Sequence, residues 1–390
     1  MAPSTRSAPA PTHDAVHAPH AASPPADHGT YPGTLPTGPP AGSPAGSPAG
    51  TEAKVEGARQ GRRRRRALVI GTLTVLVAVV FAASLMIGRT FYGPAEVLGV
   101  VFGQDVDGAT FTVGTLRLPR AVLAVVAGAC FGLGGVTFQT MLRNPLASPD
   151  IIGISSGASA AAAFAIIVLG IDGPARSAFA IAAGLGVALL IYLLSSKGGV
   201  AGTRLILVGI GIAAILTSIT NYLLSRAGSW DLQEALRWLT GSLNGVGWEQ
   251  VLPTVVALLV LAPVLLGQSA NLESLTLGDD TAAGLGVRVN RTRLVAVIAA
   301  VGLVAFATAA CGPIAFVAFL SGPIAVRLLG PNGSLLVPSA LVGALLVLVA
   351  DIVGQYAIGT RFPVGVVTGV LGAPFLLYLI VRQHRTGATS

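Results

Sequence analysis

Arg117 and Arg120 stand three residues apart, around Leu118 and Pro119, where an apolar stretch begins. Guanidiniums at that spacing are suited to capture carboxylates on a partner, because each offers a planar fork of donors. The sequence therefore predicts two unscreened, outward-facing cations there. Thr217, Thr220 and Asn221 form a second constellation, at i, i+3 and i+4 within an apolar run and hence on one helix face. Polar groups so placed face a cavity or another helix rather than lipid. A transport path and helix-to-helix hydrogen bonding both fit them. Asp351 ends another apolar run and is expected to be paired or solvated rather than to carry protons. Other chemistries lack their residues. Cys130 and Cys311 lie inside apolar stretches and read as small buried hydrophobes. Lys54 and Lys197 are the two lysines, and neither sits in a GxxxxGK[ST] phosphate loop. Any ATP-driven work then needs a partner. HExxH is absent, and His384 is the one histidine beyond residue 66. Gln139, Arg143 and Asn144 form a small polar cluster that loop capping explains. No enzyme activity, cofactor or metal site is expected.

The elements that position these residues are set by composition. The chain is 53% hydrophobic and 10% charged, against about 25% charged in globular domains, which excludes an ordinary soluble fold. The expected class is all-α: a polytopic membrane protein of about ten transmembrane helices with short cytoplasmic coupling helices. The chain divides at residue 66. Residues 1–66 hold twelve of the twenty-five prolines and the tandem GSPAGSPAG. Such a stretch buries too little apolar surface to offset its chain entropy, so a disordered cytoplasmic tail is expected. His13, His17, His20 and His28 lie in it, loosely spaced and without cysteines, and read as solvated. Residues 67–390 form the transmembrane domain. At about 20 apolar residues per span, the candidates are 67–87, 121–141, 151–171, 178–195, 205–225, 251–267, 293–311, 313–329, 335–353 and 364–381. Pro313 and Pro323 interrupt the eighth, which is expected to be short or broken. The run Arg62–Arg66 precedes the first span and marks the cytoplasmic side. Ten spans return the C-terminus to that side. Fourteen basic residues then lie inside and seven outside, Arg117, Arg120 and Arg361 among the latter. The net charge of +8 is accounted for by topology and these outer arginines rather than by nucleic acid.

Two inter-span features carry more information than loops require. Gly128 with Gly132, and Gly153 with Gly157, have the GxxxG spacing that lets helix backbones approach closely. Residues 268–292 form the longest inner loop after the tail. Asn271 or Ser274 is expected to cap one short helix there, with Asp279 and Asp280 early in a second. Gly278, Gly284 and Gly286 are expected to supply the sharp turns. An exposed helix pair of that kind is a suitable knob for a nucleotide-driven engine.

RLPR (Arg117–Arg120), then an apolar span and NPLASPDIIGISSGA, resembles the FecCD-type permeases, the membrane subunits of ABC importers for iron-siderophores, haem and cobalamin. LTLGDDTAAGLGV (Leu275–Val287), CGPIAFVAFLSGPIAVRLLG (Cys311–Gly330) and ADIVGQYAIGTRFPVGVVTGVLGAPFLLYL (Ala350–Leu379) follow in the family's order. The likeness covers about 67–385. It implies a permease subunit for ferric siderophore, with haem or cobalamin as alternatives; the different-class alternative is an ion-coupled secondary transporter. The resemblance further implies ABC ATPase subunits gripping Leu275, Leu277, Gly278, Ala282, Gly284, Leu285 and Gly286. It implies an extracytoplasmic substrate-binding lipoprotein whose glutamates meet Arg117 and Arg120, and a second permease subunit within the membrane lipid. The fifth span, with Thr217, Thr220 and Asn221, would border the path. Where the family has an arginine after the Ala-Asp block, this chain has Gln355, and Arg361 stands where many relatives have glutamate.

Overall fold

The computed structural model describes residues 48–149, 153–195, 202–330, 333–357 and 359–387. Residues 1–47, most of the expected tail, lie outside the described residues, as do Lys197 and the side chains of Arg382, His384 and Arg385. The described remainder of the tail is helical: α1 runs Pro48–Met86, continuous through the arginine run.

Every described element is a helix. Seven helices are long and apolar enough to cross a membrane, and three shorter apolar helices accompany them. The long set comprises α1, α3 (Leu118–Met141, entered through a wide π-turn segment, Thr110–Arg117), α5 (Gly173–Ser195), α6 (Gly202–Arg226), α8 (Trp248–Gly267), α11 (Val289–Cys311) and α13 (Leu336–Tyr356). The short set comprises α4 (Ile154–Phe164, prolonged by Ala165–Leu169), α12 (Val317–Leu329) and α14 (Val364–Gly387, apolar to Tyr378). All ten expected spans are thus present as apolar helices. Four small helices join them: α2 (Pro94–Val101), α7 (Ser229–Leu239), α9 (Ser269–Leu275) and α10 (Asp279–Gly284).

Local chemistry explains the helix starts. Pro94 occupies the first turn of α2, and the Gly93 N–H donates to Glu96 Oε2 at 2.7 Å. Likewise the Gly247 N–H donates to Gln250 Oε1 at 2.9 Å before α8. Asp231 in the first turn of α7 and Arg237 in its last complement the helix dipole.

The core is built on α3, which packs against α11, α12 and α13. Glycine makes this possible. A Cβ on Gly128 would strike the Gly343 carbonyl of α13, one on Gly132 the Ser339 carbonyl, and one on Gly135 the Ala318 carbonyl of α12. The Gly128/Gly132 spacing therefore works as expected, by letting backbones touch. The second pair behaves differently. Gly157 packs on Val187 of α5, but Gly153 caps α4 with φ of 92°, so it is a turn residue rather than a helix-face residue.

The two interrupted spans share one architecture. The loop after α3, described over 142–149, leads toward α4, and irregular chain from Gly312 to Phe316 precedes α12. Irregular backbone at membrane depth is tolerated where it is buried in protein or lines a cavity. Leu146 and Ser148 of the first stretch, and Pro313, Ala315 and Phe316 of the second, line one cavity.

Candidate functional site

Three regions bear on function: a polar cluster at one end of the bundle, a cavity along it, and the α9–α10 pair at the other end.

The cluster at the first end is centred on Asp351, 4% exposed near the end of α13. Arg120 at the start of α3 donates from Nε to both carboxylate oxygens of Asp351 (2.9 and 3.1 Å) and from Nη2 to Oδ1 at 2.7 Å. Its Nη1 donates to Asn244 Oδ1 at 2.5 Å, and the Gln355 amide donates to Asp351 Oδ2 at 2.7 Å. A carboxylate this buried needs such a partner set, because an unpaired charge in low dielectric is far costlier than a paired one. Gln355, one helical turn after Asp351, is thereby part of the same network.

Arg117 is engaged as well. Its Nη1 donates to the carbonyls of Leu85 (2.8 Å) and Met86 (3.0 Å), and its Nη2 to that of Thr90 (2.7 Å). These include the open carbonyls at the end of α1, where a cation also meets the negative end of the helix dipole. Its guanidinium lies 5.1 Å from the Tyr92 ring centroid. The expectation of two unscreened guanidiniums is overturned: Arg117 caps α1, and Arg120 neutralises Asp351. The physical reason is that a terminal Arg near helix ends and a buried carboxylate finds intramolecular acceptors before solvent. Asp351 itself is paired, as expected. Arg361 is exposed.

The cavity has a volume of about 770 Å³ and lies among α4, α6, α12 and α14. Hydroxyls supply its polar lining: Ser155, Ser156 and Ser159 on α4, Thr217 and Thr220 on α6, and Ser148 and Thr240 at its edges. Phe316 and Phe319, edge to face with centroids 6.3 Å apart, supply its aromatic wall. The expected stripe divides here. Thr217 and Thr220 reach the cavity, whereas Asn221 is exposed and does not line it. One residue of helix rotation, about 100°, separates Thr220 from Asn221. The buried Thr220 hydroxyl donates to the Leu216 carbonyl at 2.9 Å, so it also serves its own helix.

Phe316 went unforeseen. It has φ of 64°, a left-handed conformation rare for a bulky residue, and it starts α12. Its ring occupies the space that a side chain at Gly372 of α14 would need. The visible signal was the Cys-Gly-Pro run that breaks the eighth span. Nearby, the Ser242 N–H donates to the Cys311 carbonyl at 2.7 Å and the Gly365 N–H to the Gly241 carbonyl at 3.1 Å. A Cβ at Gly241, Gly312 or Gly365 would strike backbone, so three chain segments meet directly at this end of the cavity. Asn244 and α7 were also missed; Leu232, Leu236 and Leu239 at helical spacing after Gly228-Ser229 were the signal for α7.

At the other end, α9 and α10 form the expected helix pair. Asp279 and Asp280 lie in the first turn of α10, and Gly278 (φ 109°) and Gly286 (φ 85°) make the turns. Three details differ. Gln268, not Asn271 or Ser274, precedes α9 at the N-cap; Asn271 donates to the Gln268 side chain at 2.8 Å and Ser274 to the Ala270 carbonyl at 3.0 Å. Both lie inside the helix, where a short polar side chain bonds back one turn. Gly284 is the last helical residue rather than a turn. Leu275 and Ala282 are fully buried and join the core, so they hold the pair down instead of facing outward. Leu277 and Leu285 are exposed, at 64% and 63%. Asp279 ties the pair to the bundle through Arg293 of α11 at 2.8 Å and Arg143 after α3 at 3.5 Å.

Residues 76–382 match the FecCD transport family. The chain is 37% identical, over 82% of its length and 98% of the relative's, to the ferric enterobactin transport system permease protein FepG of Escherichia coli (strain K12). It is also 37% identical to the Fe(3+)-citrate import system permease protein YfmE of Bacillus subtilis (strain 168), over 83% and 97%. Identity to the cobalamin import system permease protein BtuC of Halobacterium salinarum (strain ATCC 700922 / JCM 11081 / NRC-1) is 37%, over 70% and 74%. Among solved structures, a metal-chelate type ABC transporter in an inward-facing conformation superposes with a TM-score of 0.73 at 29% identity, covering 80% of this chain and 99% of that one. With ten apolar helices in order and a family match over most of its length, the chain belongs to the FecCD transport family, a family of multi-pass membrane permease subunits of ABC importers.

Proposed function

We propose that this chain is the permease subunit of an importer for a ferric siderophore, driven by partner ATPase subunits. The observation that carries the reading is the hydroxyl- and aromatic-lined cavity between two broken spans, with an exposed helix pair at one end of the bundle. Seven hydroxyl side chains on its wall offer donors and acceptors without fixed charge, a surface suited to sliding a chelate rather than gripping a bare ion. Thr217 and Thr220 border this path, and a second permease subunit, identical or similar, completes it.

The α9–α10 end faces the cytoplasm, and both chain termini lie on that side, within a cell-membrane bilayer. The position of Arg62–Arg66 supports this reading: the Arg65 side chain donates to the Leu328 carbonyl at the same end of the bundle as α9. Leu277 and Leu285 are the apolar contacts offered to an ATPase groove, with Gly278, Gly284 and Gly286 shaping the turns, and Leu275 and Ala282 anchoring them from below. Arg293 and Arg143 transmit the push through Asp279 into α11 and α3.

At the opposite end a substrate-binding lipoprotein docks on the face carrying Arg117, Arg120 and Arg361. Arg361 is the exposed cation; Arg117 and Arg120 fix the platform. Cobalamin is the second cargo reading, favoured by the equal identity to the cobalamin permease.

The decisive experiment is uptake into liposomes holding this chain with its ATPase and binding protein, offering labelled ferric enterobactin, ferric citrate and cobalamin separately. ATP-dependent accumulation of an iron chelate is expected. Accumulation without the ATPase would overturn the importer reading, and uptake of cobalamin alone would reassign the cargo.

A further inference from the structure

The arginines at the α9–α10 end do more than sit beside the apolar run. Arg62 to Arg66 occupy just over one turn of α1, immediately before Ala67, where the apolar part of the helix begins. Arg65 and Arg66 are spent on the bundle: Arg65 donates to the Leu328 carbonyl at 3.2 Å, and Arg66 donates to the Ser334 carbonyl. Leu328 lies in the last turn of α12, where carbonyls have no helical partner, and Ser334 lies just before α13. The two bonds therefore lock the rotation of α1 about its axis.

That rotation places Arg62. It is three residues before Arg65 and four before Arg66, so it shares their face and looks toward α12. Arg63 and Arg64 follow at about 100° and 200° round the helix, and all three are exposed. Arg327, the residue before the acceptor Leu328, is exposed too. Its guanidinium is held against two rings of α14, 5.3 Å from the Phe375 centroid and 4.9 Å from that of Tyr378. Aromatic stacking orients a guanidinium while leaving its edge donors for an anion. Among the described residues, no carboxylate forms an ion pair with Arg62, Arg63, Arg64 or Arg327.

We infer that Arg62 and Arg327 form a binding site for the phosphate headgroup of an anionic phospholipid at the seam where α1 meets the end of α12, with Arg63 and Arg64 adding positive charge round the same level of α1. The depth is right, because the site lies at the first residues outside the apolar part of α1, the level at which headgroup phosphates lie. Tyr378 adds an amphipathic ring of the kind that favours this level. Basic residues clustered beside a transmembrane helix attract anionic lipid by about 1 kcal/mol each. The inference is independent of the cargo and of the ATPase partner.

The test is native mass spectrometry of the full chain released from nanodiscs of phosphatidylcholine containing phosphatidylglycerol. The wild type is expected to retain phosphatidylglycerol selectively, and less so at high salt. The triple variant Arg62→Gln, Arg63→Gln, Arg64→Gln should bind it roughly a hundredfold more weakly, the product of three such charges, and Arg327→Gln roughly fivefold more weakly. Replacing the same three arginines by lysine keeps the charge and the topology signal, and should retain most of the binding. Unchanged phosphatidylglycerol retention in both glutamine variants would overturn the site. So would inorganic phosphate displacing the lipid at equal concentration, which would mark a free-phosphate site instead.

Discussion

The central and peripheral helices of this bundle have the same apolar composition and opposite environments. Within their most apolar windows, the span Thr110–Met141 is 89% buried and Val289–Cys311 is 72% buried, whereas Arg59–Met86 and Arg204–Arg226 are each 17% buried. Their mean hydropathies, 2.1 and 2.5 against 2.6 and 1.9, do not separate the groups. What separates them is glycine on a contact face. In lipid there is no hydrophobic gain from hiding an apolar side chain, so close backbone packing decides which helices become core. Gly128, Gly132 and Gly135 make α3 narrow on the sides facing α13 and α12. On α6, Gly211 has nothing near its missing Cβ. The same residue type is a packing device in one place and a neutral substitution site in the other.

Four substitutions would break or sharpen that contrast. The largest effect is expected from Asp351→Ala, which strands Arg120 among buried neighbours and should cost about 3–5 kcal/mol. Thermal unfolding in detergent would show it, and pairing the change with Arg120→Met should restore much of the loss. Gly132→Leu comes next. Driving a side chain into the Ser339 carbonyl should lower stability by about 3 kcal/mol, read as reduced yield of folded chain and a lower midpoint. Asp279→Asn removes the ties of a half-exposed carboxylate to the buried Arg293 and the half-exposed Arg143. Stability should change by roughly 0–1 kcal/mol, while substrate moved per ATP hydrolysed should fall clearly. Gly211→Leu should leave monomer stability within about 0.5 kcal/mol. Cross-linking between permease chains after that change would sharpen the comparison, because weakened pairing would mark α6 as a subunit interface rather than a lipid face.

The first and third substitutions also compare two ion pairs. Arg120–Asp351 is bidentate and buried, and Asn244 and Gln355 complete it. Arg293–Asp279 sits at the bundle's edge, with the aspartate side chain 41% exposed. A buried pair is a liability if broken, whereas a rim pair is cheap to break.

Much of this was legible along the chain. The ten apolar runs follow from the length needed to cross a bilayer, and Pro313 with its neighbours identified the span that would break. Asp279 and Asp280 marked a helix start because carboxylates favour that end of the dipole. Gly128 and Gly132 announced a close contact but not its partner, Gly343 and Ser339, two hundred residues away. The fates of Arg117 and Arg120 were not legible. A guanidinium's role depends on which acceptors lie within 3 Å, and Leu85, Thr90, Asn244 and Asp351 are brought there by four different segments. Phe316 was hidden for a related reason, since nothing in the identity of a phenylalanine signals a left-handed backbone.

The sequence by itself determined that this is a multi-pass helical permease with a pair of short helices between its sixth and seventh spans. Length, hydropathy and charge asymmetry are one-dimensional quantities, and a bilayer reads them directly. Tertiary structure alone decided which arginines are free. It tied Arg117 to the end of α1 and Arg120 to Asp351, and it let Thr217 and Thr220 but not Asn221 reach the cavity. The physical reason is distance: hydrogen bonds and ion pairs vanish within a few ångströms, and residues distant in sequence approach that closely only after the helices have packed.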